Sequence, residues 1–175
     1  RVSSSAASDV YKRQMHYCAT NCTLIPLAIP VSIIDSMTDI KSITMRSEQA
    51  LSGAGWKLLF DAEALSGNVN PFIPQEEEKL IAELKYLLGI DVPVIASCNR
   101  VSERDGHFVS VGVELNRETT VEEVEELMKI PTLGLPSSPK LVNEIIDDSP
   151  TRQEYLWNGN GTVSYTHLRA HETVG

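Results

Sequence analysis

Between Gln75 and Leu115 the spacing of apolar residues changes from that of a helix to that of a strand. This change constrains the fold more than any other feature. Leu80, Ile81, Leu84, Leu87 and Leu88 share one helical face, Pro74 suits a first turn, and Glu76, Glu77 and Glu78 favour the positive end of the dipole. Gly89 stops the pattern, so the spacing predicts a helix over Gln75–Leu88. Val94–Val101 and His107–Leu115 then read as strands, the second with Val109, Val111, Val113 and Leu115 on one face. A short connection joins these strands, rather than a long crossover.

The rest of the chain mixes the same elements. Met15–Asn21 reads as a strand end or a tight loop, and Thr23–Asp35 as a buried helix whose first turns Pro26 and Pro30 make irregular. Asp39–Ser47 leans towards β-structure, Ser52–Gly55 is a glycine-rich turn, and Gly67–Pro71 is a loop. Thr120 caps a second strong helix, Val121–Met128, whose acidic surface is a solvated face. Pro131–Pro139 reads as a loop and Asn158–Gly161 as a turn. The expected fold class is α+β (mixed α/β), a mixed β-sheet covered by helices.

The 175 residues suffice for one domain of ordinary size. Residues 15–161 are expected to form it. Ser4–Gln14 and Val163–Thr173 resemble translated sequencing-adaptor read-through, so 1–14 and 162–175 are read as non-native tails and left out of fold reasoning. Without them the charge is more acidic than the −9 of the whole chain, with 11 Lys and Arg against 22 Asp and Glu. A surface that tracks phosphates needs the opposite sign, so nucleic acid is not expected as a partner. Leu24–Ile34 is too short to span a bilayer and holds Pro26 and Pro30, so no membrane partner is expected either. The odd count of 3 cysteines implies a reducing, cytoplasmic setting. Cys18 and Cys22 lack a second Cys/His pair nearby, and no metal is expected.

The chemistry begins at Cys22, in Asn21-Cys22-Thr23, placed where a helix could begin and its N–H groups favour a thiolate. Downstream follow Gln49-x-x-Ser52-Gly53-Ala54-Gly55, Glu76-x-x-Lys79, Arg100 and His107. A thiol, an amide, a carboxylate, a guanidinium and an imidazole in that order suggest an enzyme that forms a thioester. Each residue also has a bland reading. Cys22 is then a small buried hydrophobe, His107 a surface turn residue, Arg100 an exposed strand-end charge, and Glu76–Lys79 a surface ion pair.

Taken together, these motifs resemble aspartate-semialdehyde dehydrogenase. Cys98-Asn99-Arg100-Val101, Asp105-Gly106-His107 and Leu135-Pro136-Ser137-Ser138-Pro139 look most like its archaeal and fungal branch. The resemblance implies the catalytic and dimerisation part of that family, with L-aspartyl-4-phosphate as substrate, NADPH as reductant, and a homodimer or tetramer. Its pathway would be lysine, threonine and methionine biosynthesis. By the same resemblance Cys22 is the nucleophile, His107 the general acid/base, and Gln49 positions the thioester. Arg100 grips the substrate carboxylate, Glu76 its ammonium and Lys79 its phosphate, with Glu77 and Glu78 as alternative registers for Glu76. Ser52, Gly53 and Asn160 would contact the nucleotide. Cys18 is a rival nucleophile, because Cys18–Cys22 echoes glyceraldehyde-3-phosphate dehydrogenase, although the downstream motifs do not fit that enzyme.

Nothing before Cys22 supplies a strand, a glycine-rich turn and a helix for a dinucleotide. The family's Rossmann domain precedes the cysteine, so the chain is expected to be a fragment, inactive alone. Two rivals stand beside this expectation. One is a malonyl-CoA reductase with the same thioester chemistry, and the other is a non-catalytic dimerisation module that retains the motifs.

Overall fold

The computed structural model describes residues 20–129, 143–155 and 164–166. The first helix, α1 (Ile25–Met37), holds Pro26 near its start and Pro30 inside it. Proline lacks an N–H, so Pro30 removes one helical hydrogen bond, yet Leu27, Ala28, Val31 and Ile33 still bury this face. Strand β1 (Ile40–Gln49) follows, then a 3-10 turn (Leu51–Ala54) and two short helices, α2 (Trp56–Leu59) and α3 (Ala62–Leu65). Next come α4 (Glu76–Leu88), β2 (Val94–Arg100), β3 (Phe108–Leu115) and α5 (Val121–Met128). Beyond them lie β4 (Asn143–Ile145), α6 (Arg152–Tyr155) and β5 (Ser164–Thr166).

The main sheet is mixed, in the order β2-β1-β3. β1 runs parallel to β2, with Gln49 opposite Arg100, and antiparallel to β3, with Glu48 opposite Phe108. β4 and β5 form a separate parallel pair. The strands β2 and β3 are adjacent in sequence but do not pair with each other, because β1 lies between them. The short connection that joins them therefore arches over the end of β1, and that loop carries His107.

One face of the sheet is covered. α4 packs on β2, and α1 packs on α4, α5 and β3. Leu24, Leu27 and Val31 meet Ile40, Ile43 and Met45 from β1, Leu80 and Leu84 from α4, and Cys98 from β2. Side chains two apart on a strand share a face, so the inward row of β1 reads Ile43, Met45, Ser47, Gln49. The inward row of β2 reads Ala96, Cys98, Arg100. Both rows begin apolar and end polar. Ser47, Gln49 and Arg100 are buried, so the core passes directly into a polar cluster at one end of the sheet.

Several boundaries differ from the sequence reading. α1 starts at Ile25, two residues later than expected, so Cys22 lies in the preceding turn and not at the helix start. Leu24 N–H donates to Asn21 O at 2.9 Å, which closes that turn. α4 starts at Glu76, and Gln75 ahead of it adopts a left-handed φ of 59°. Pro74 thus precedes the helix and does not occupy its first turn. Thr120 caps α5 as expected, its hydroxyl accepting from Glu123 N–H at 3.2 Å. Residues 131–139 and 158–161, with both proposed tails except 164–166, lie outside the described residues. No helix among the described residues is long and apolar enough to cross a membrane.

Candidate active site

The parallel pairing of β1 and β2 sets Gln49 and Arg100 side by side where both strands end. β3 begins at the same end, so His107, one residue before it, reaches the same place. Glu76 opens α4 there. The turn bearing Cys22 completes the group.

Cys22 Sγ lies 3.1 Å from His107 Nε2. On the other side of the ring, Ala50 N–H donates to Nδ1 at 3.2 Å. A nitrogen that accepts a hydrogen bond carries no proton, so the neutral ring keeps its proton on Nε2, facing the sulfur. Burial holds the His107 pKa below the usual imidazole value, and the charges of Arg100 and Arg152 push it the same way against Glu76. Cys22 is exposed whereas Cys98 is buried in the core, where burial pushes the thiol pKa up.

Glu76 joins the turn bearing Cys22 to the sheet. Its Oε1 accepts from Asn21 Nδ2 at 2.8 Å and from Gln49 Nε2 at 2.8 Å. Asn21 Oδ1 in turn accepts from Thr23 N–H at 2.8 Å, and Asn21 N–H donates to Glu83 Oε2 at 2.9 Å. Both neighbours of Cys22 are thereby held. Burial raises the Glu76 pKa, but the amides of Asn21 and Gln49, with the charges of Lys79 and Arg100, outweigh it and leave a carboxylate below its usual range. Glu77 faces elsewhere, its Oε1 accepting from Cys98 N–H at 2.9 Å. Of these two registers, Glu76 is the one in the cluster.

Arg100 is 8% exposed, and its Nη1 donates to Ala50 O at 2.7 Å. Gly53 in the 3-10 turn packs against the same groups. A Cβ there would sit 2.9 Å from Arg100 Nη1 and 3.1 Å from His107 Cε1. Only glycine lets this backbone lie so close to both. Ser52 is its neighbour and is held through Ser52 N–H to Arg104 O at 2.9 Å. Lys79 sits one turn along α4 from Glu76, its Nζ 4.0 Å from Glu83 Oε1 and its side chain 61% exposed. Cys18 and Asn160 lie outside the described residues.

Residues 32–162 match the family described as semialdehyde dehydrogenase, dimerisation domain. This chain belongs to that family. It is 37% identical over 144 residues to the aspartate-semialdehyde dehydrogenase of Archaeoglobus fulgidus, covering 77% of this chain and 41% of that protein. It is also 37% identical over 166 residues to that of Methanothermobacter thermautotrophicus, covering 85% of this chain and 48% of the other. Among solved structures, an aspartate-semialdehyde dehydrogenase with NADP from Candida albicans superposes with a TM-score of 0.66 at 25% identity. That match covers 86% of this chain and 48% of the other. The chain thus spans about half the length of the relatives it matches. The mixed sheet covered by helices is the fold of this semialdehyde dehydrogenase domain, and the archaeal and fungal likeness read from the motifs is found here too.

Within the domain, geometry joins Cys22, His107, Gln49, Glu76, Arg100 and Gly53, with Lys79 at the rim. Four residues were not singled out from the sequence. Asn21 and Glu83 hold the turn bearing Cys22, Ala50 sets the imidazole tautomer, and Arg152 reaches Gly106 O at 2.8 Å. Asn21 was visible only as part of the cysteine motif. Ala50 acts through backbone atoms, which no side-chain pattern betrays, and Arg152 stands 45 positions after His107.

Proposed function

We propose that this chain carries the catalytic half of an aspartate-semialdehyde dehydrogenase. The reaction is the reduction of L-aspartyl-4-phosphate with NADPH to L-aspartate 4-semialdehyde and phosphate. The observation that supports it most is the Cys22 Sγ to His107 Nε2 contact of 3.1 Å, made beside a buried Arg100 and an ionised Glu76. A thiolate, a cation for the substrate carboxylate and an anion for its ammonium are what this substrate requires.

Cys22 attacks the acyl carbonyl, the C–O bond to phosphate breaks, and a thioester remains. Arg100 offers its unused guanidinium hydrogens to the α-carboxylate as two parallel bonds. Glu76 accepts from the ammonium, and exposed Lys79 meets the departing phosphate. Gln49, tethered to Glu76 at 2.8 Å, orients the acyl group. His107 Nε2–H first supports the thiolate, then the oxyanion on the acyl carbon, and again the sulfur as the C–S bond breaks. A nicotinamide ring, when bound, supplies the hydride. Exposed Gly53, in the turn beside His107, and its neighbour Ser52, together with Asn160, would hold the nucleotide.

In this reading residues 15–161 are the working domain, 1–14 and 162–175 take no part in the chemistry although β5 pairs with β4, and the protein is a cytoplasmic homodimer or tetramer. Spanning about half the length of its relatives, the isolated chain acylates but does not turn over NADPH. Intact mass spectrometry after incubation with L-aspartyl-4-phosphate should show an aspartyl adduct that hydroxylamine removes and that is absent in Cys22→Ser. An adduct from malonyl-CoA but not from aspartyl phosphate would shift the assignment to the malonyl-CoA reductase chemistry. No adduct from either would leave a dimerisation module.

A further inference from the structure

The pairing of β1 with β3 ends at Glu48 opposite Phe108, so nothing in the ladder holds the two residues before Phe108. Those residues are Gly106, with a left-handed φ of 84°, and His107. Arg152, from α6, reaches this gap with its side chain 23% exposed. Its Nε donates to Gly106 O at 2.8 Å and its Nη2 to Glu48 O at 3.3 Å, with the Glu48 carboxylate 3.8 Å away. One planar fork therefore ties the residue before His107 to the strand that leads into Ala50, whose N–H holds the ring at 3.2 Å. We infer that Arg152 is a positioning residue for His107, extending the β1–β3 connection beyond its last pair and fixing the imidazole against Cys22.

The inference rests on the proposed Cys22–His107 chemistry. A lysine keeps the charge, but its donors radiate from a single nitrogen and lack the fixed planar spacing of the fork. The lysine variant thus separates positioning from simple charge. The test is the pH profile of Cys22 alkylation by iodoacetamide in the intact 175-residue chain, read at Cys22 by peptide mass spectrometry, with circular dichroism for folding. His107→Ala gives the reference for a lost imidazole. Arg152→Gln and Arg152→Lys should both remain folded, and each should lower the rate near neutral pH by up to about tenfold towards that reference, the scale of one lost charge-assisted hydrogen bond. A parent-like profile in both variants, or in Arg152→Lys alone, overturns the inference, as does loss of the folded signal in both. If His107→Ala itself leaves the profile unchanged, the proposed chemistry fails first, and that result is distinct.

Discussion

His107 is constrained at both ring nitrogens, and the two constraints agree. Ala50 N–H occupies Nδ1, so adding a second proton to the ring would turn two donors towards each other. Burial, then Arg100 and Arg152, lower its pKa in the same sense. The sign of the linkage follows. An unfolded chain takes up a proton near the ordinary histidine value of about 6.5, while the folded chain resists it, so this contribution to stability is present above that pH and is lost as pH falls. Between about pH 7.5 and about pH 5.5 the urea midpoint of the parent should fall more steeply than that of His107→Gln. Equal slopes would refute the assignment. Gly53→Ala tests the other side of the ring, because its Cβ must displace Arg100 or His107. Iodoacetamide labelling of Cys22 should slow by roughly tenfold, as for any loss of the imidazole hydrogen bond, and unchanged labelling would show that the turn has room to spare.

Among the elements, α4 serves both core and site. Its apolar stripe buries Leu80 and Leu84 under β2, while Glu76 and Glu83, on the same helix, hold the cysteine turn. Leu84→Ala should cost about 2–5 kcal/mol in denaturant unfolding. Because α4 is seated by that stripe, loss of packing should also slow Cys22 labelling, and labelling at the parent rate would separate helix packing from the site. Thr120→Ala, which removes the α5 cap, should cost about 1 kcal/mol and leave labelling untouched. Both helices were legible from their spacing and caps. The start of α1 was less so. Pro26 marks a helix start, but Pro30 blurs the period, and whether Cys22 belongs to the first turn depended on Asn21, whose partners Glu76 and Glu83 stand 55 and 62 positions away.

At the scale of the whole molecule, the site lies at one end of a three-stranded mixed sheet and the core fills the covered face behind it. The family is described as a dimerisation domain, and the proposed homo-oligomer should sediment at twice the 19.3 kDa of the chain or more. A mass of one chain at micromolar concentration would contradict it. Amphipathic spacing and motif order were properties of the sequence alone, since local periods fix helix and strand faces and name the chemistry-bearing residues. The order β2-β1-β3 was not, because adjacency in the chain suggests a pairing of β2 with β3 that the sheet does not make. That order sets Gln49 beside Arg100, sends the β2–β3 loop over the end of β1, and so delivers His107 to Cys22. Strand order is decided by contacts far apart in sequence, which no local period encodes. The ionisation of Glu76, the tautomer of His107 and the reach of Arg152 all follow from it, because each depends on neighbours that only folding supplies.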